Sequence, residues 1–512
     1  MDQDPQSEVL AFLAGGALGA APERIDTHAA IVLLVGERAY KLKRAVRYSF
    51  LDFTTLEARE RTLRHELALN RRTAPTLYRR VLPVTREADG SLAVDGTGQP
   101  VEWLLEMRRF PAEAQLDRIA AAGGLTPELI EALAEAVAAA HAAAGPRPDC
   151  GGLAAMRAVA DGNREDFRMA VPTVFAPEPV RALVDATEAW LVQSAGRLEA
   201  RRAAGRVRHC HGDLHLANIV LLDGRPVLYD CIEFDDELAC IDVLYDLAFL
   251  LMDLVEKGHR AAAARLLNAW LERTADHDGL ALLPLFLSVR AAIRAKVLGL
   301  AVLRGAAAGA GEAWRYLGLA RDLLAPPPPV LLAIGGGSGT GKTSLARRLA
   351  AELRGPAPGA VVLRSDVIRK QLLGRAPSER LPPAAYRSEV STRVFATIAQ
   401  RAATCLAGGH SVIADAVYGT PDQRAAIEAV ARRHAVPFLG VWLEAPVATR
   451  VMRVQGRRGD ASDADAAVVR RQARALDAAP VAWHRVDAAH GPNTVAATVL
   501  AMVRQELGPA TA

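Results

Sequence analysis

Apolar and polar positions divide the first part of the chain into predicted strands and helices. "AAIVLLVGERAYKLKRAV" predicts two strands joined by a turn at Gly36-Glu37, and "VEWLLEMRRF" predicts another apolar strand. "LEARERTLRHELALNRRTAP" predicts a long helix. Residues 111–325 have a mostly alanine-rich helical pattern, which short strands around "ANIVLLDGRPVLYDCIEF" interrupt. We therefore expect a small β-rich lobe at about residues 25–107 and a larger helical lobe at about 108–325.

The last third of the chain has a different pattern. Four consecutive prolines, Pro326 to Pro329, predict a stiff spacer. After it, the strands "VLLAI", "AVVLRS", "SVIADA" and "PFLGVWLEA" alternate with helices, the first of which starts near Thr343. Such alternation is typical of a parallel α/β sheet. The predicted organisation is one domain over 1–325, a linker over 326–329 and an α/β domain over 330–512.

Composition narrows the class of protein. The 512 residues are 51% hydrophobic and 23% charged, which is ordinary for a globular protein. The net charge of +4 is small and does not favour a nucleic-acid partner. Five scattered cysteines without a CxxC motif fit a reducing compartment. The first residues lack a basic stretch, and the longest apolar run carries Asp246 and Asp253. We expect a soluble cytoplasmic protein without a membrane partner.

The stretch "RHCHGDLHLANIVL", residues 208–221, concentrates histidines, a cysteine, an aspartate and an asparagine. One interpretation is a metal cluster, because His211 and His215 are four positions apart. However, Gly212 and the apolar neighbours indicate a loop that enters a strand. The sequence also offers no second Cys/His cluster to complete four ligands.

The second interpretation of this stretch is a loop for phosphoryl transfer. Asp213 and Asn218 are five positions apart, the spacing of the catalytic aspartate and the Mg²⁺-binding asparagine in protein kinases. A kinase also needs a metal-binding aspartate on the next hairpin, and Asp230 ends the strand in "RPVLYDCIEF". The ordered set of three residues favours phosphoryl transfer over a metal cluster.

The small lobe of a kinase supplies a lysine to the phosphates of ATP and a helix glutamate that pairs with it. Lys41 and Lys43 are two apart on a predicted strand, so they point to the same face. Lys41 is slightly favoured, and Lys43 remains the alternative. Glu66 is the favoured partner on the long helix, with Glu60 as the alternative. Met107 is predicted to lie near the adenine, between the two lobes.

"HGDLHLAN", together with "LYDCIEF" and "YDLAFLL", resembles the aminoglycoside phosphotransferase family, also called choline-kinase-like, over about residues 25–320. The resemblance implies a bilobal protein-kinase-like α+β fold. It implies that Asp213 is the catalytic base, that Asn218 and Asp230 bind Mg²⁺ and that Asp246 has a buried supporting role. The chain departs from the protein-kinase pattern in one respect, since "LVGERAY" holds only one glycine where a glycine-rich loop is expected.

"GGSGTGKT" matches the P-loop pattern G-x-x-x-x-G-K-[ST], follows a predicted strand and opens a predicted helix. The glycines let backbone N–H groups face phosphates at the N-terminus of that helix. Lys342 is predicted to reach the β- and γ-phosphates, and the Thr343 hydroxyl to bind Mg²⁺. The predicted nucleotide contacts are Gly336, Gly337, Ser338, Gly339, Thr340, Gly341, Lys342, Thr343 and Ser344.

Two acids follow later strands of this half. Asp366 comes just after "VVLRS", where a small P-loop kinase needs a carboxylate that faces the acceptor hydroxyl. The alternative for Asp366 is a helix N-cap. Asp415 ends the buried strand "SVIADA" and is predicted to lie near Mg²⁺. Arg424 is expected to face either phosphate or solvent.

The stretch "TRVMRVQGRRGDASDADAAVVRRQ" predicts a lid of arginines that closes over ATP. The alternative is a solvated basic helix face. Together, these features resemble small P-loop kinases related to gluconate kinase, zeta-toxin and polynucleotide kinase, over residues 330–500. In this interpretation Lys342 and Asp366 are catalytic, and Arg453 and Arg457 contact the nucleotide.

Two kinase-like modules in this order resemble bacterial bifunctional aminoglycoside phosphotransferase/ATP-binding proteins. We expect a phosphotransferase that depends on ATP and Mg²⁺, with a small hydroxylated metabolite as acceptor. One alternative is an ATP-hydrolysing regulatory protein whose first half is a non-catalytic sensor. Another is a nucleic-acid end kinase, which the aromatic content of 5% does not favour because few rings are available to stack on bases.

Overall fold

The structure is a computed structural model that describes residues 6–27, 29–48, 51–306, 308–376, 379–456, 461–476 and 481–507. The chain forms two compact units. The first unit comprises Met1–Ala155 with Glu199–Leu250, and the second comprises Met156–Leu198 with Leu251–Ala512. Within the described ranges, no helix combines the length and the apolar content needed to cross a membrane.

A six-stranded antiparallel sheet forms the β-rich part of the first unit, in the order β1-β2-β3-β8-β6-β7. The strands up to residue 108 are β1 (Glu23–Asp26), β2 (Ala30–Val35), β3 (Arg38–Lys43), β4 (Arg47–Tyr48), β5 (Leu51–Asp52), β6 (Tyr78–Arg86), β7 (Leu92–Val94) and β8 (Gln99–Arg108). The predicted hairpin is confirmed, because Val35 pairs with Arg38 across the Gly36-Glu37 turn. The apolar strand predicted near residue 101 corresponds to β8.

The helices up to residue 256 are α1 (Ser7–Phe12), α2 (Leu56–Asn70), α3 (Leu116–Ala121), α4 (Pro127–Ala143), α5 (Gly152–Ala170), α6 (Pro177–Ala203), α7 (Asp236–Ala239) and α8 (Val243–Glu256). The long predicted helix is α2, which Thr55 caps by accepting a hydrogen bond from the Ala58 N–H.

Four short strands carry the histidine-rich stretch and the segment after it: β9 (Val207–His209), β10 (Ile219–Leu222), β11 (Arg225–Leu228) and β12 (Cys240–Asp242). β10 and β11 pair as an antiparallel hairpin, and β9 pairs with β12. Residues 210–218 therefore form a connection between two fixed strands, as the sequence pattern around Gly212 predicts.

The second unit contains a five-stranded parallel sheet in the order β14-β15-β13-β16-β17. Its strands are β13 (Leu331–Gly336), β14 (Val361–Arg364), β15 (Val412–Asp415), β16 (Phe438–Glu444) and β17 (His484–Asp487). The later helices are α9 (Arg260–Thr274), α10 (Leu283–Leu303), α11 (Ala310–Leu323), α12 (Lys342–Leu349), α13 (Ser365–Leu372), α14 (Ser388–Ala407), α15 (Pro421–Arg433), α16 (Val447–Gln455), α17 (Ala466–Leu476) and α18 (Pro492–Glu506). The predicted alternation and parallel sheet are confirmed. β17 was not predicted, since three of its four side chains are exposed and it lacks an apolar run.

Buried histidines in the second unit predict a loss of stability in acid. His410 is fully buried, its Nε2 lies 2.8 Å from the Leu280 carbonyl oxygen, and burial lowers its pKa to about 4. The unfolded chain takes up this proton near pH ~6.5, so between the two pKa values the unfolded state binds more protons. Stability should therefore fall as the pH falls through this window, by roughly 3 kcal/mol once the pH is below the folded-state pKa.

We expect thermal unfolding of the His410→Gln variant to depend less steeply on pH than that of the wild type, because glutamine can donate to the Leu280 carbonyl without titrating. His490→Gln, at an exposed position, is the control and should keep the wild-type slope. Equal slopes for all three proteins between pH 6.5 and pH 4 would contradict the assignment to His410.

Two candidate phosphoryl-transfer sites

The first candidate site is the connection between β9 and β10. Asn218 donates its side-chain amide to Asp213 Oδ2 at 2.9 Å and to the Asp213 carbonyl oxygen at 3.0 Å. His215 Nε2 lies 3.4 Å from Asp213 Oδ2, and the His215 ring packs on Phe249 with 5.3 Å between centroids. The structure therefore brings together the two residues that the five-residue spacing singled out, and His215 fixes the same carboxylate.

Asp246 holds the backbone of this connection from helix α8. The buried Asp246 carboxylate accepts the Gly212 N–H at 2.8 Å and the His211 N–H at 3.3 Å. Its Oδ2 also lies 3.0 Å from His141 Nε2. His211 in turn directs Nε2 at the Tyr229 carbonyl oxygen at 2.8 Å, and burial lowers the pKa of His211. These contacts fix the chain immediately before Asp213.

Gly212 is needed at its position for two reasons. Its φ is +82°, in the left-handed region, and an added Cβ would lie 2.9 Å from Ile232 Cδ1 and 3.2 Å from the Leu238 carbonyl oxygen. We expect Gly212→Ala to lower the free energy of unfolding by about 2–4 kcal/mol, which combines backbone strain with overpacking. Thermal unfolding measures this loss.

Gly224→Ala is the matched control, because Gly224 has φ +76° and an added Cβ there meets nothing within 4 Å. It should cost about 1 kcal/mol from strain alone. Equal losses for the two variants would show that the contacts of Gly212 with Ile232 and Leu238 are unimportant.

Two lysines and three carboxylates form a charge cluster beside this connection. Lys41 Nζ donates to Glu66 Oε1 at 2.8 Å and to Asp230 Oδ1 at 2.7 Å. Lys43 Nζ lies 2.7 Å from Glu66 Oε2 and 2.5 Å from Glu233 Oε1. Glu66 therefore pairs with both lysines, and Lys41 is the one that also reaches Asp230.

Electrostatics within the cluster set the charge of its members. Burial opposes the charge on Lys41, but the Asp230 and Glu66 carboxylates outweigh burial and raise the pKa of Lys41 well above its usual value. Burial alone would raise the pKa of Asp230, yet the ammonium of Lys41 lowers it below the ordinary value. Burial raises the pKa of Glu233. Lys41 is thus cationic and Asp230 ionised at neutral pH, as phosphate binding and metal binding require.

Several residues that position Asp230 belong to no recognisable sequence motif. Asp230 has φ +59°, which is uncommon for a residue other than glycine. Its N–H donates to the Tyr78 hydroxyl at 3.1 Å, and the next N–H, of Cys231, donates to Asn70 Oδ1 at 3.1 Å. Sequence analysis missed Tyr78 and Asn70, because each lies far along the chain from Asp230. It also missed Glu233, which lies within the motif itself but whose partner, Lys43, lies 190 positions away. Glu60, the alternative partner for the lysine, pairs with Arg64 on the surface of α2, at 2.9 Å.

One cleft of about 1090 Å³ is lined by most of the predicted residues of the first unit, whereas Glu66 lies outside its lining. Met107 lies on β8 opposite Ala39 of β3 and faces this cleft. Predicted residues in its wall are Lys41, Lys43, Met107, Asp213, Asn218 and Asp230. The structure therefore places side chains from the sheet, from residues 213–218 and from residues 229–234 around one space large enough for a nucleotide.

Histidines of the same stretch also approach cysteines and acids. His209 is the cross-strand partner of Cys240, and potential ligand atoms of these two residues and Asp236 lie within 4.8 Å of one another. The Arg147 guanidinium already lies among these groups, 3.0 Å from Cys240 Sγ and 3.4 Å from Asp236 Oδ2. A second such group, His141, Cys210 and Asp246, is the one that supports the Gly212 backbone. Neither group includes His211 or His215.

The second candidate site surrounds the P-loop. Thr343 Oγ1 donates to Asp415 Oδ2 at 2.5 Å, so the hydroxyl and the carboxylate that were predicted to bind Mg²⁺ are adjacent. Lys342 Nζ donates to the Gly337 carbonyl oxygen at 3.0 Å, which folds the lysine over the loop. Burial raises the pKa of Asp415, against the opposing charges of Lys342 and Arg364. The geometry and donor types fit a divalent cation held between Thr343 and Asp415.

Arg450 of helix α16 packs directly against the P-loop. Its Nε donates to the Ser338 carbonyl oxygen at 3.0 Å, and an added Cβ at Gly337 would lie 2.1 Å from Arg450 Nη2. Gly337 therefore leaves the space that the guanidinium fills. From helix α17, Gln472 Oε1 accepts the Ser338 N–H at 2.7 Å. Gln472 was not identified from the sequence, since a single glutamine within a helix is an ordinary surface residue.

The other arginines of this half have different surroundings. Arg453 Nη2 lies 3.4 Å from the carbonyl oxygens of Ala489 and His490 rather than at the P-loop. Arg424 is buried and donates to the Tyr418 carbonyl oxygen at 2.8 Å, so it is not exposed to solvent. Arg457, which was predicted to contact the nucleotide, lies outside the described residues.

Asp366 lies in the first turn of α13, whose N-cap position is Arg364. Next to it, Arg369 donates to the Ala385 carbonyl oxygen at 2.8 Å and lies over the Tyr386 ring, 4.8 Å from its centroid. Asp366 and Asp415 therefore lie at the carboxyl ends of neighbouring strands. β14 ends at Arg364, two residues before Asp366, and β15 ends at Asp415.

A polar contact joins Asp463 to Lys370 of α13 and to Tyr386. Lys370 Nζ lies 3.4 Å from Asp463 Oδ1, and the Tyr386 hydroxyl donates to Asp463 Oδ2 at 2.8 Å. Asp463 belongs to the stretch that holds the predicted lid arginines, and its contact with Lys370 connects that stretch to α13.

Family models match both parts of the chain. The model described as phosphotransferase enzyme family matches residues 44–283, and the model described as AAA domain matches residues 331–479. Uncharacterized proteins of Mycobacterium tuberculosis and Mycobacterium bovis are each 31% identical over 479 residues, which cover 91% of this chain and 92% of each relative.

Two solved structures have lower similarity to this chain. A choline/ethanolamine kinase family protein from Mesorhizobium loti is 14% identical with a TM-score of 0.37, covering 62% of this chain and 99% of that chain. A gluconokinase from Sinorhizobium meliloti 1021 is 19% identical with a TM-score of 0.26, covering 36% of this chain and 95% of that chain.

The fold and the matches define a protein with two kinase-like domains: a phosphotransferase-family domain of the bilobal kinase type, followed by a P-loop kinase domain with a parallel sheet. The chain belongs to the same family as the mycobacterial proteins, which it matches over nearly their whole length.

Proposed function

We propose that the chain is a phosphotransferase that depends on ATP and Mg²⁺ and that phosphorylates a hydroxyl group of a small metabolite. The observation that carries this proposal is that Lys41, Asp213, Asn218 and Asp230 line one cleft. A base, a phosphate-binding cation and two oxygen ligands for a metal are the parts that a kinase needs. All five cysteines are free thiols, which supports a reducing, cytoplasmic location.

Each residue of the first site has a distinct task in this proposal. Asn218 donates to one oxygen of Asp213 and so orients the carboxylate, which accepts the proton of the acceptor hydroxyl. The acceptor oxygen forms a bond to the γ-phosphorus as the bond from that phosphorus to the ADP oxygen breaks. Lys41, held by Glu66, orients the phosphates. Asn218 and Asp230 would hold Mg²⁺, which neutralises charge on the phosphates.

The P-loop half supplies a second set of kinase parts. Backbone N–H groups of residues 336–343 and the Lys342 ammonium would bind the phosphates. Thr343 and Asp415 would hold Mg²⁺, since their oxygen atoms are 2.5 Å apart. Asp366 would accept the proton from a second acceptor hydroxyl. Arg450 fixes the shape of the loop through its contact with Ser338.

The test is transfer of label from γ-labelled ATP, with Mg²⁺, to a panel of sugars, sugar acids, amino alcohols, nucleosides and aminoglycosides. The full-length protein should label at least one hydroxylated compound, and mass spectrometry of that product identifies the acceptor. ATP hydrolysis without any labelled product across the panel would count against the proposal and in favour of a regulatory ATPase.

A further inference from the structure

Helix α9, which precedes the P-loop domain in the sequence, covers an edge of the five-stranded sheet. β14 is the outermost strand on one side of the sheet, and it pairs with β15 on its other side. On the open side, the Val362 N–H donates to Asn268 Oδ1 at 2.7 Å, and Asn268 Nδ2 donates to the Ala360 carbonyl oxygen at 3.0 Å. One buried side-chain amide therefore supplies a donor and an acceptor of the kind that a neighbouring strand would supply.

Asn268 belongs to helix α9, within the stretch that the phosphotransferase family model matches. Other residues of the same segment also contact the P-loop domain. Ala264 is part of the apolar core formed by Val330, Leu332 and Ile334. Arg260 donates to the Pro358 carbonyl oxygen at 3.1 Å. Beyond α9, the Leu280 carbonyl oxygen lies 2.8 Å from the ring of His410, just before β15.

The same helix reaches the acidic residues of the P-loop site through one arginine. Glu272 of α9 lies 3.3 Å from Arg364 Nη1, and both side chains are largely buried. Arg364 is the register partner of Asp415 in the neighbouring strand. Its charge opposes the effect of burial on the Asp415 carboxyl. The Glu272 carbonyl oxygen also accepts from Gln371 Nε2 at 2.6 Å, in the helix that carries Asp366.

We propose that residues 260–282 are a structural part of the P-loop module, and that Glu272 is a positioning residue that fixes Arg364 beside Asp415. The first statement is independent of the reaction. The second rests on the proposed function, because it gives Asp415 a role in binding the metal–nucleotide complex.

Leaving these polar groups without partners would cost free energy. An uncovered edge strand exposes N–H and C=O groups that pair with other chains. A buried guanidinium that loses its carboxylate keeps its desolvation cost and moves to find another anion. Asp415 occupies the register position opposite Arg364 on the neighbouring strand. Loss of Glu272 should therefore draw Arg364 onto the carboxylate that binds Mg²⁺.

Hydrogen exchange of the full-length protein tests the structural statement. In Asn268→Leu, the Val362 amide loses its acceptor, so a peptide that spans residues 360–364 should exchange at least about ten times faster. Asn493→Leu, an exposed position on α18, is the matched control and should leave this peptide unchanged. Unchanged protection in Asn268→Leu would overturn the proposal that α9 closes the sheet.

Mg²⁺-dependent binding of ADP to the full-length protein tests the role of Glu272. The P-loop component is identified as the part that Lys342→Ala removes. Glu272→Gln should raise the Mg²⁺ concentration that this component requires about ten-fold, because Arg364 then competes with Mg²⁺ for Asp415. Glu256→Gln, which breaks the ion pair of Glu256 with Arg315 at 3.2 Å, is the control and should leave Mg²⁺-dependent binding intact.

The outcomes separate this inference from the proposed function. An unchanged Mg²⁺ dependence in Glu272→Gln would overturn the positioning role. Absence of any ADP binding that depends on Lys342 in the wild type would overturn the proposed function of the P-loop half, and with it the role of Glu272. The exchange measurement would still decide whether α9 is part of this module.

Discussion

Asp213→Asn is expected to lower phosphoryl transfer at the first site by about 10²–10⁴-fold, because the amide cannot accept the proton of the acceptor hydroxyl. Asparagine has the size and shape of aspartate, so packing against Asn218 and His215 is kept. The loss should therefore be in kcat, with little change in the KM for ATP and in the unfolding temperature. Steady-state kinetics with the acceptor found in the labelling panel measure this effect.

Asp223→Asn is the matched control for this variant. Asp223 lies in the turn of the adjacent β10–β11 hairpin, its side chain is 77% exposed, and it pairs only loosely with Arg108 at 3.4 Å. It should retain full activity. Transfer at the wild-type rate by Asp213→Asn would show that this carboxylate is not the base and that the first half acts as a sensor.

Lys342→Ala is expected to reduce the activity of the P-loop half by at least about 10²-fold, because it removes the cation that stabilises charge on the transferred phosphoryl group. Without the ammonium, nucleotide binding at this half should also weaken, since the lysine is the predicted charged contact with the β- and γ-phosphates. Both ATP turnover and ADP binding measure the loss.

Lys257→Ala provides the control for removal of a lysine, since Lys257 is exposed and pairs with Asp253 one helical turn away. It should leave turnover and binding unchanged. A P-loop half that binds ADP as well without Lys342 as with it would contradict the predicted phosphate contact.

The two variants together assign the chemistry. A labelled product that disappears with Asp213→Asn and survives Lys342→Ala belongs to the first half. The reverse pattern assigns that product to the P-loop half. Two products, each lost with one variant, would identify a bifunctional enzyme.

Local sequence determined a large part of this protein. The hairpin of β2 and β3 follows from apolar runs around Gly36, and the P-loop follows from its spacing between a strand and a helix. The pairing of Asp213 with Asn218 also follows from spacing, because five residues of a tight connection bring the two side chains within 2.9 Å. In each case the interacting groups are close along the chain, so short-range geometry limits where they can lie.

Tertiary structure alone decided contacts between distant segments. The strand pattern placed Lys41 and Lys43 on one face, but only packing shows that both reach Glu66 and that Lys41 also reaches Asp230, 189 positions away. Asn268 on the edge of the P-loop sheet, 94 positions from Val362, had no sequence signal at all. Periodicity encodes which face of an element is buried, whereas the partner of a long polar side chain depends on where whole elements pack.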